Sequence, residues 1–187
     1  MYKKILLLLC FCSHQVFAAD CSDASGTTVT ISTSCTGGLS FSGDVTNLTI
    51  NLGIEIETDG KGAVSIGDNT VTTLTNNGTI ETTSSHYGLR HTGSGLITTL
   101  INNGSITSAA RYGLSTGSSA TITTIENSGT ISAGAHSGLR NYLGTIGTIT
   151  NSGTISAVGK WGLYNNGTIE KITNSGTISA GNTDNDS

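Results

Sequence analysis

A five-residue phrase that begins with Asn and carries Gly at its third position recurs five times between Leu74 and Ala180. The five copies begin at Asn76, Asn102, Asn127, Asn151 and Asn174. Their glycines are separated by 26, 25, 24 and 23 residues. Repeats of about 20 to 50 residues are typical of solenoids, propellers and arrays, in which each unit packs only on its neighbours. The repeat therefore limits the possible folds more than any other feature of the chain.

Each repeat unit also contains three apolar clusters at regular distances from the Asn. The first cluster follows the Gly and holds Ile80, Ile106, Ile131, Ile155 and Ile178. The second holds Leu89, Leu114, Leu139 and Leu163. The third holds Ile97, Ile122, Ile146 and Ile169, each followed three residues later by Leu100, Ile125, Ile149 and Ile172. Three clusters in about 24 residues leave about eight residues for each, which is enough for one short strand and one turn.

These clusters predict an all-β solenoid with rungs of about 24 residues, where a rung is one turn of the coil and contains three strands. Successive rungs would pair as parallel strands about 4.8 Å apart. A lone rung buries too little apolar surface to offset the entropy of ordering its chain, so the rungs must stack. An antiparallel array remains open because Asn-Gly is also a hairpin signal. A leucine-rich repeat also remains open, although the segments rich in Thr, Ser and Gly do not supply its helical return.

The Asn of each unit is predicted to form a ladder inside the coil. A side-chain amide can bond to the backbone of a turn and also to the same amide in the rungs above and below. This structural Asn ladder would comprise Asn76, Asn102, Asn127, Asn151 and Asn174. The Gly two positions later would accept the tight backbone that the turn demands.

The first 18 residues are typical of a secretory signal peptide. Lys3 and Lys4 give the positive start, and the apolar run from Ile5 is shorter than the roughly 20 residues of a membrane-spanning helix. A short membrane anchor is the alternative. Cleavage is expected before Ala19, and no later segment is apolar enough to span a bilayer as a helix. We divide the sequence into a signal peptide (1–18), an N-terminal cap with an irregular first rung (19–72), β-helix repeats (73–180) and a polar tail (181–187).

Removal of the signal peptide leaves two cysteines, Cys21 and Cys35. An even pair in an exported chain predicts a disulfide, which would fasten one end of the repeat array. A metal site is the alternative, but the nearby sequence offers no further ligands. The mature chain keeps six basic residues against 12 acidic ones, a formal net charge of −6. Binding of nucleic acid through many Lys and Arg contacts to phosphate is therefore not expected.

Three phrases of the repeat region carry a family likeness. They run from Leu74 to Ile80, from Ile149 to Ser156 and from Tyr164 to Ile169, and they resemble the repeats of bacterial autotransporter passenger domains. The resemblance implies a right-handed parallel β-helix that is exported and displayed beyond the outer membrane of a Gram-negative cell. The sequence departs from the family in lacking its C-terminal membrane β-barrel. We therefore expect a partial gene product or another route of release, with a periplasmic location if the barrel is truly absent.

Aromatic and basic residues recur just before the Leu of the second cluster. We predict that they line one edge of the coil, where they could stack on sugar rings or bind an acidic surface. We name this set the edge stripe: His86, Tyr87, Arg90, Arg111, Tyr112, His136, Arg140, Lys160 and Trp161. The alternative is that this turn tolerates long, solvated side chains, which line up because every repeat does.

The sequence as a whole predicts a non-catalytic, secreted or surface-displayed stalk or adhesin. Its partner would be a host or cell-surface glycan or protein, or a second copy of the chain. The alternative is an exported enzyme that acts on polysaccharides. However, Glu81, Glu126 and Glu170 occupy different positions in their units and form no visible pair of carboxylates, as glycoside hydrolysis would require. We therefore predict no catalytic residue, no metal site and no cofactor.

Overall fold

The computed structural model describes Cys21 and residues 24–181, so the signal peptide and most of the polar tail lie outside the described residues. The described residues form strands and no helix, and hence no helix that could cross a membrane. The strands are β1 Ala24–Ile31, β2 Leu39–Ile50, β3 Glu55–Thr58, β4 Gly62–Ile66, β5 Thr70–Asn76, β6 Thr79–Thr82, β7 Tyr87–His91, β8 Leu96–Asn102, β9 Ser105–Ser108, β10 Tyr112–Thr116, β11 Thr121–Asn127, β12 Thr130–Ala133, β13 Ser137–Asn151, β14 Thr154–Ala157, β15 Trp161–Asn174 and β16 Thr177–Ala180.

The strands stack in parallel on three faces of a coil, which has about six rungs in the described part of the chain. Face A contains β4, β7, β10 and the starts of β2, β13 and β15. Face B contains β1, β5, β8, β11 and the ends of β2, β13 and β15. Face C contains β3, β6, β9, β12, β14 and β16. The predicted all-β parallel solenoid is therefore confirmed.

The apolar clusters of the sequence form four columns along the inside of the coil. Face A stacks Leu89, Leu114 and Leu139. Face B stacks two columns, one with Ile97, Ile122 and Ile146 and the other with Leu100, Ile125 and Ile149. Face C stacks Ile80, Ile106, Ile131 and Ile155. All of these side chains are fully buried. Burial of apolar surface between rungs, rather than within one, therefore builds the core.

The columns extend into the N-terminal segment, where the sequence repeat is weakest. Val45 and Leu48 of β2 pair in register with Val71 and Leu74 of β5. Ile50 occupies the position that Asn76 takes in the next rung. Because the side chain at this position is apolar, the amide ladder begins one rung later than the core does.

The five ladder asparagines bond to one another through consecutive rungs. Nδ2 of Asn76 donates to Oδ1 of Asn102 at 2.8 Å, and the same bond recurs along the column at 2.7, 2.6 and 2.7 Å. Each of the first four amides also donates to a backbone carbonyl of the next rung, as Asn127 does to Thr154 at 3.2 Å. The first four asparagines are buried, so these bonds satisfy polar groups that water does not reach.

The Gly of each phrase is needed because adjacent rungs approach closely. A Cβ placed on Gly129 would collide with the carbonyl oxygen of Gly104 in the rung below. Positive φ, the usual reason for Gly in a tight turn, does not occur at Gly129 or at the other four ladder glycines. The close approach of the backbone in the neighbouring rung, not the conformation of the turn, therefore requires Gly at this position.

A second polar column lies at the corner between faces A and B. It holds His91, Thr116, Asn141 and Asn165 in register. Asn141 donates to Oδ1 of Asn165 at 2.8 Å, as in the main ladder. However, Oγ1 of Thr116 and Oδ1 of Asn141 are buried without a hydrogen-bond partner among the described residues. This column is therefore interrupted at Thr116.

The two mature cysteines lie together at the N-terminal end of the coil. Their sulfur atoms are at disulfide distance, and the Cα atoms of Cys21 and Cys35 are 5.9 Å apart. Both side chains are buried, and Cys35 forms an isolated parallel bridge with Ile56 of face C. The pair thus connects the start of β1 to the first rung.

We expect Asn127→Ala to lower the free energy of unfolding by roughly 2 to 4 kcal/mol, because it leaves Oδ1 of Asn151 buried without its donor and creates a cavity. Asn103→Ala is the matched control, since Asn103 is exposed and bonds to Asn77 at the surface. Its cost should stay within about 1 kcal/mol. Urea unfolding measures both values. Equal costs for the two substitutions would contradict a stabilising role for the buried ladder.

Candidate functional site

The edge stripe follows the corner at which the chain enters face A. Tyr87 and Tyr112 begin β7 and β10, and they pair in register with each other. The same register position holds Ser137 in the next rung and Trp161 in the one after that. Because parallel rungs are about 4.8 Å apart, outward side chains at one register position must lie against each other.

Two rings of the stripe stack and a third continues the row. The ring centroids of Tyr87 and Tyr112 are 5.5 Å apart, with an angle of 20° between the planes. The imidazole of His136 follows Tyr112 at 5.4 Å in a tilted arrangement. These separations fit the range in which aromatic rings attract one another. The row therefore presents a continuous aromatic surface over three rungs.

Arginine side chains lie over these rings. The guanidinium carbon of Arg90 is 5.6 Å from the centroid of Tyr87, and that of Arg111 is 5.7 Å from the centroids of both Tyr87 and Tyr112. Arg140 lies closer, at 4.7 Å from the centroid of Tyr112. Such cation–π contacts hold a charged group in place without neutralising it.

Five members of the stripe meet around a shallow cavity of about 270 Å³, which we name the Arg140 cavity. Its lining consists of Tyr112, His136, Ser137, Arg140, Tyr142, Lys160, Trp161 and Tyr164. The other stripe residues, His86, Tyr87, Arg90 and Arg111, are not part of this lining. Tyr112 and His136 belong both to the aromatic row and to the cavity, which occupies the C-terminal side of the stripe.

Two aromatic residues of the cavity, Tyr142 and Tyr164, were not among the residues predicted from the sequence. Tyr142 lies 4.2 Å from the guanidinium carbon of Arg140, measured to the ring centroid, and Tyr164 lies 5.0 Å from the ring of Trp161. Tyr164 shares a register position with Arg140, so alignment of the units at that position would have found it. Tyr142 precedes a register shift, and no periodic pattern indicates it.

The cavity is electropositive. Partial burial and the charges of Lys160, Arg111 and Arg140 lower the pKa of His136 below its ordinary value. None of these cations is paired with a carboxylate among the described residues. Three of the acidic side chains, Glu55, Glu57 and Glu81, lie instead on face C. The positive charge of the edge is therefore available to an external anion.

Glu81 and Glu126, two of the acidic residues considered in the sequence, lie on different faces of the coil. Glu81 pairs in register with Glu57 and with Thr107, whereas Glu126 belongs to face B. A separate cavity of about 200 Å³ has one carboxylate in its lining, that of Glu126. Within the described part of the chain, no three His, Cys, Asp or Glu side chains are grouped as a metal site would require.

His91 lies apart from the edge stripe, in the core. Its Nε2 is 3.1 Å from the carbonyl oxygen of Gly95 and 3.2 Å from that of Thr121 in the next rung. The second ring nitrogen, Nδ1, is 3.3 Å from the carbonyl oxygen of Ile66. Burial lowers the pKa of His91, although these three carbonyls act in the opposite direction. A neutral imidazole carries one N–H, so His91 donates either to Ile66 in the rung below or to Gly95 and Thr121, according to its tautomer.

Similarity to known proteins does not place the chain in a family. No protein-family model, no curated protein and no solved structure matches it. The fold is established by the strand pairing described above, and function has to be inferred from the side chains on the surface of the coil.

We expect the stability of the protein to decrease as the pH falls from 7 to 5. The pKa of His91 is lower in the folded protein than in the unfolded chain, where it has its ordinary value near 6.5. Below about pH 6.5 the unfolded chain therefore binds a proton more readily than the folded protein does. The free energy of unfolding is therefore unaffected by His91 above that pH. It decreases by up to about 1.4 kcal/mol per pH unit as the pH falls towards the pKa of the folded state.

His91→Asn should flatten this dependence, because it removes the titrating group and introduces the amide found at Asn141. His136→Gln is the control. The pKa of His136 is also lowered, which likewise makes stability decrease with falling pH, but this side chain is partly exposed. The lowered pKa of Asp68, caused by bonds from Ser94, acts only below about pH 4. Urea unfolding at several pH values gives the slopes. Equal slopes for the wild type and His91→Asn would show that His91 is not responsible.

Proposed function

We propose that this chain is a non-catalytic passenger of the autotransporter type, which acts as a stalk or adhesin and contacts a glycan or protein surface through the edge stripe. The observation that carries the proposal is the row of aromatic and cationic side chains along one edge, with no carboxylate of the described residues paired with its cations. Aromatic faces and Arg are the groups that most often anchor contacts between macromolecules.

The solenoid suits a role as a spacer. Its rungs extend along one axis, each held to the next by backbone hydrogen bonds and by the columns of Leu and Ile. Repeat proteins of this kind offer long surfaces on which the same contact recurs at a constant interval. A rigid rod with a repeated edge can hold a partner at several points, which strengthens weak individual contacts.

Export is supported by two features of the N-terminal segment. The first 18 residues are typical of a secretory signal peptide. Cys21 and Cys35 lie at disulfide distance, and disulfides persist mainly in oxidising compartments outside the cytosol. We therefore place the mature protein at the cell surface, at the outer membrane or outside the cell, as the resemblance to autotransporter passengers implies.

We expect the mature chain to bind selected glycans on an array and the surface of cultured epithelial cells. Substitution of Tyr87, Tyr112 and Trp161 by Ala should weaken this binding at least tenfold, because it removes the three large rings at one register position. The matched control is Leu52→Ala with Val158→Ala, which removes exposed apolar side chains outside the stripe.

Two results would contradict the proposal. Binding that the triple substitution leaves unchanged would show that the stripe is only a solvated corner of the coil. Shortening of an acidic polysaccharide by the purified chain would instead indicate an exported enzyme, and size-exclusion chromatography of the treated polymer would detect it.

A further inference from the structure

We infer that the Arg140 cavity binds an anionic sugar residue of a polysaccharide, with its ring against Trp161 and its carboxylate or sulfate at Arg140. This inference rests on the proposed function and specifies the class of glycan and the place where it binds. It also makes one site on the edge different from the rest, although the repeat would otherwise suggest equal sites on every rung.

Arg140 is held in position and keeps most of its hydrogen-bonding capacity. Its guanidinium carbon is 4.7 Å from the ring centroid of Tyr112 and 4.2 Å from that of Tyr142. Nη1 donates one long hydrogen bond, of 3.4 Å, to Oγ of Ser115. A guanidinium group has five N–H donors, which match the two oxygens of a carboxylate or sulfate. Arg140 can therefore receive an anion without first losing a protein partner.

Trp161 supplies a flat apolar surface beside this cation. The residue is 45% exposed although it begins a strand of face A. Tyr164 supports its ring at 5.0 Å, and the Nζ of Lys160 lies 5.6 Å from its centroid. An exposed indole next to a cation suits a ligand with a C–H face and a negative charge, which is the combination an acidic sugar offers.

The backbone departs from the repeat at the cavity. The register of β13 against β15 shifts between Tyr142 and Thr145. Leu143 within this bulge has a φ of 61° and is 55% exposed. The left-handed region is unfavourable for a residue with a side chain, and such strain and bulges are concentrated at functional sites. The bulge lies next to Tyr142, which lines the cavity together with Tyr112.

The size and the aromatic lining of the cavity favour a sugar over an acidic peptide. A volume of about 270 Å³ is near the lower limit of ligand pockets, which typically hold roughly 300 to 1,000 Å³. Three tyrosine rings and one indole line it, whereas an acidic peptide would need little more than the cations. We therefore expect a single sugar ring of a longer chain to enter the cavity.

The test uses the fluorescence of Trp161, because the sequence contains one Trp. The mature chain is titrated with tetragalacturonate, with a sulfated dextran tetrasaccharide, with neutral maltotetraose and with tetraglutamate. We expect at least one of the two anionic sugars to change the emission saturably and to bind at least tenfold more tightly than maltotetraose and tetraglutamate. The two anionic sugars distinguish a carboxylate from a sulfate ligand.

Arg140→Gln should weaken binding of the anionic sugar at least tenfold. Arg90→Gln is the matched control, because Arg90 occupies the same register column two rungs away and also lies over a tyrosine ring. Its effect should be less than twofold. Urea unfolding of each variant establishes that the fold is intact, and Trp161 remains as the reporter in both.

Binding should also strengthen as the pH falls from 7.5 to 5.5. His136 lies against the ring of Tyr112 and near the charges of Arg111, Arg140 and Lys160, which oppose its protonation. A bound anion offsets these charges, so protonation and binding favour each other. His136→Gln should remove the pH dependence of the affinity.

The inference is overturned if no anionic sugar changes the emission, or if maltotetraose or tetraglutamate binds as tightly as the anionic sugars. Equal losses in Arg140→Gln and Arg90→Gln would also overturn it, because they would show attraction to the whole charged edge. The proposed function is judged separately by surface binding of the triple Tyr87, Tyr112 and Trp161 variant. It stands if that binding is lost even though the anionic sugars fail.

Discussion

Backbone hydrogen bonds between consecutive rungs run along the axis of the coil and hold the parallel register on which the other features depend. They bring each Leu or Ile against its equivalent in the next rung, so that one column such as Ile80, Ile106, Ile131 and Ile155 becomes continuous core. They also place Asn127 within bonding distance of the amides above and below it. Neither arrangement exists within a lone rung, which is why stability has to arise from stacking.

The same register governs the surface, because any residue type that recurs at an outward position becomes a line of neighbouring side chains. Regularity therefore places the rings of Tyr87 and Tyr112 against each other, and His136 continues the row from the neighbouring register position. The Arg140 cavity arises where regularity fails. Small Ser137 follows Tyr112 in its column, a bulge follows Tyr142, and Trp161 begins the next strand of face A. Differences between rungs, rather than the repeat itself, are what distinguish a binding site from a scaffold.

The repeat made most of the fold predictable from the sequence, since period and apolar spacing determine which residues share a column. The position of Gly129 was also predictable, but its cause was not: the collision with Gly104 exists only between rungs. The stripe residues line one edge because their positions recur in every repeat. Tyr142 precedes a local bulge that no repeat encodes. The core role of His91 was missed because Thr116 and Asn141 replace it in the following rungs, which hides the column in the sequence.

Removal of one complete rung tests most directly whether stacking in register stabilises this protein. Deletion of residues 127–150 joins Glu126 to Asn151 and brings β14 into the place of β12, with Asn151 next to Asn102 in the ladder. We predict a folded all-β protein by circular dichroism that still unfolds cooperatively in urea, at a lower midpoint and with a slope reduced by about one-sixth. Loss of β structure or of cooperative unfolding would contradict the account, because it would show that the rungs are not equivalent stacking units.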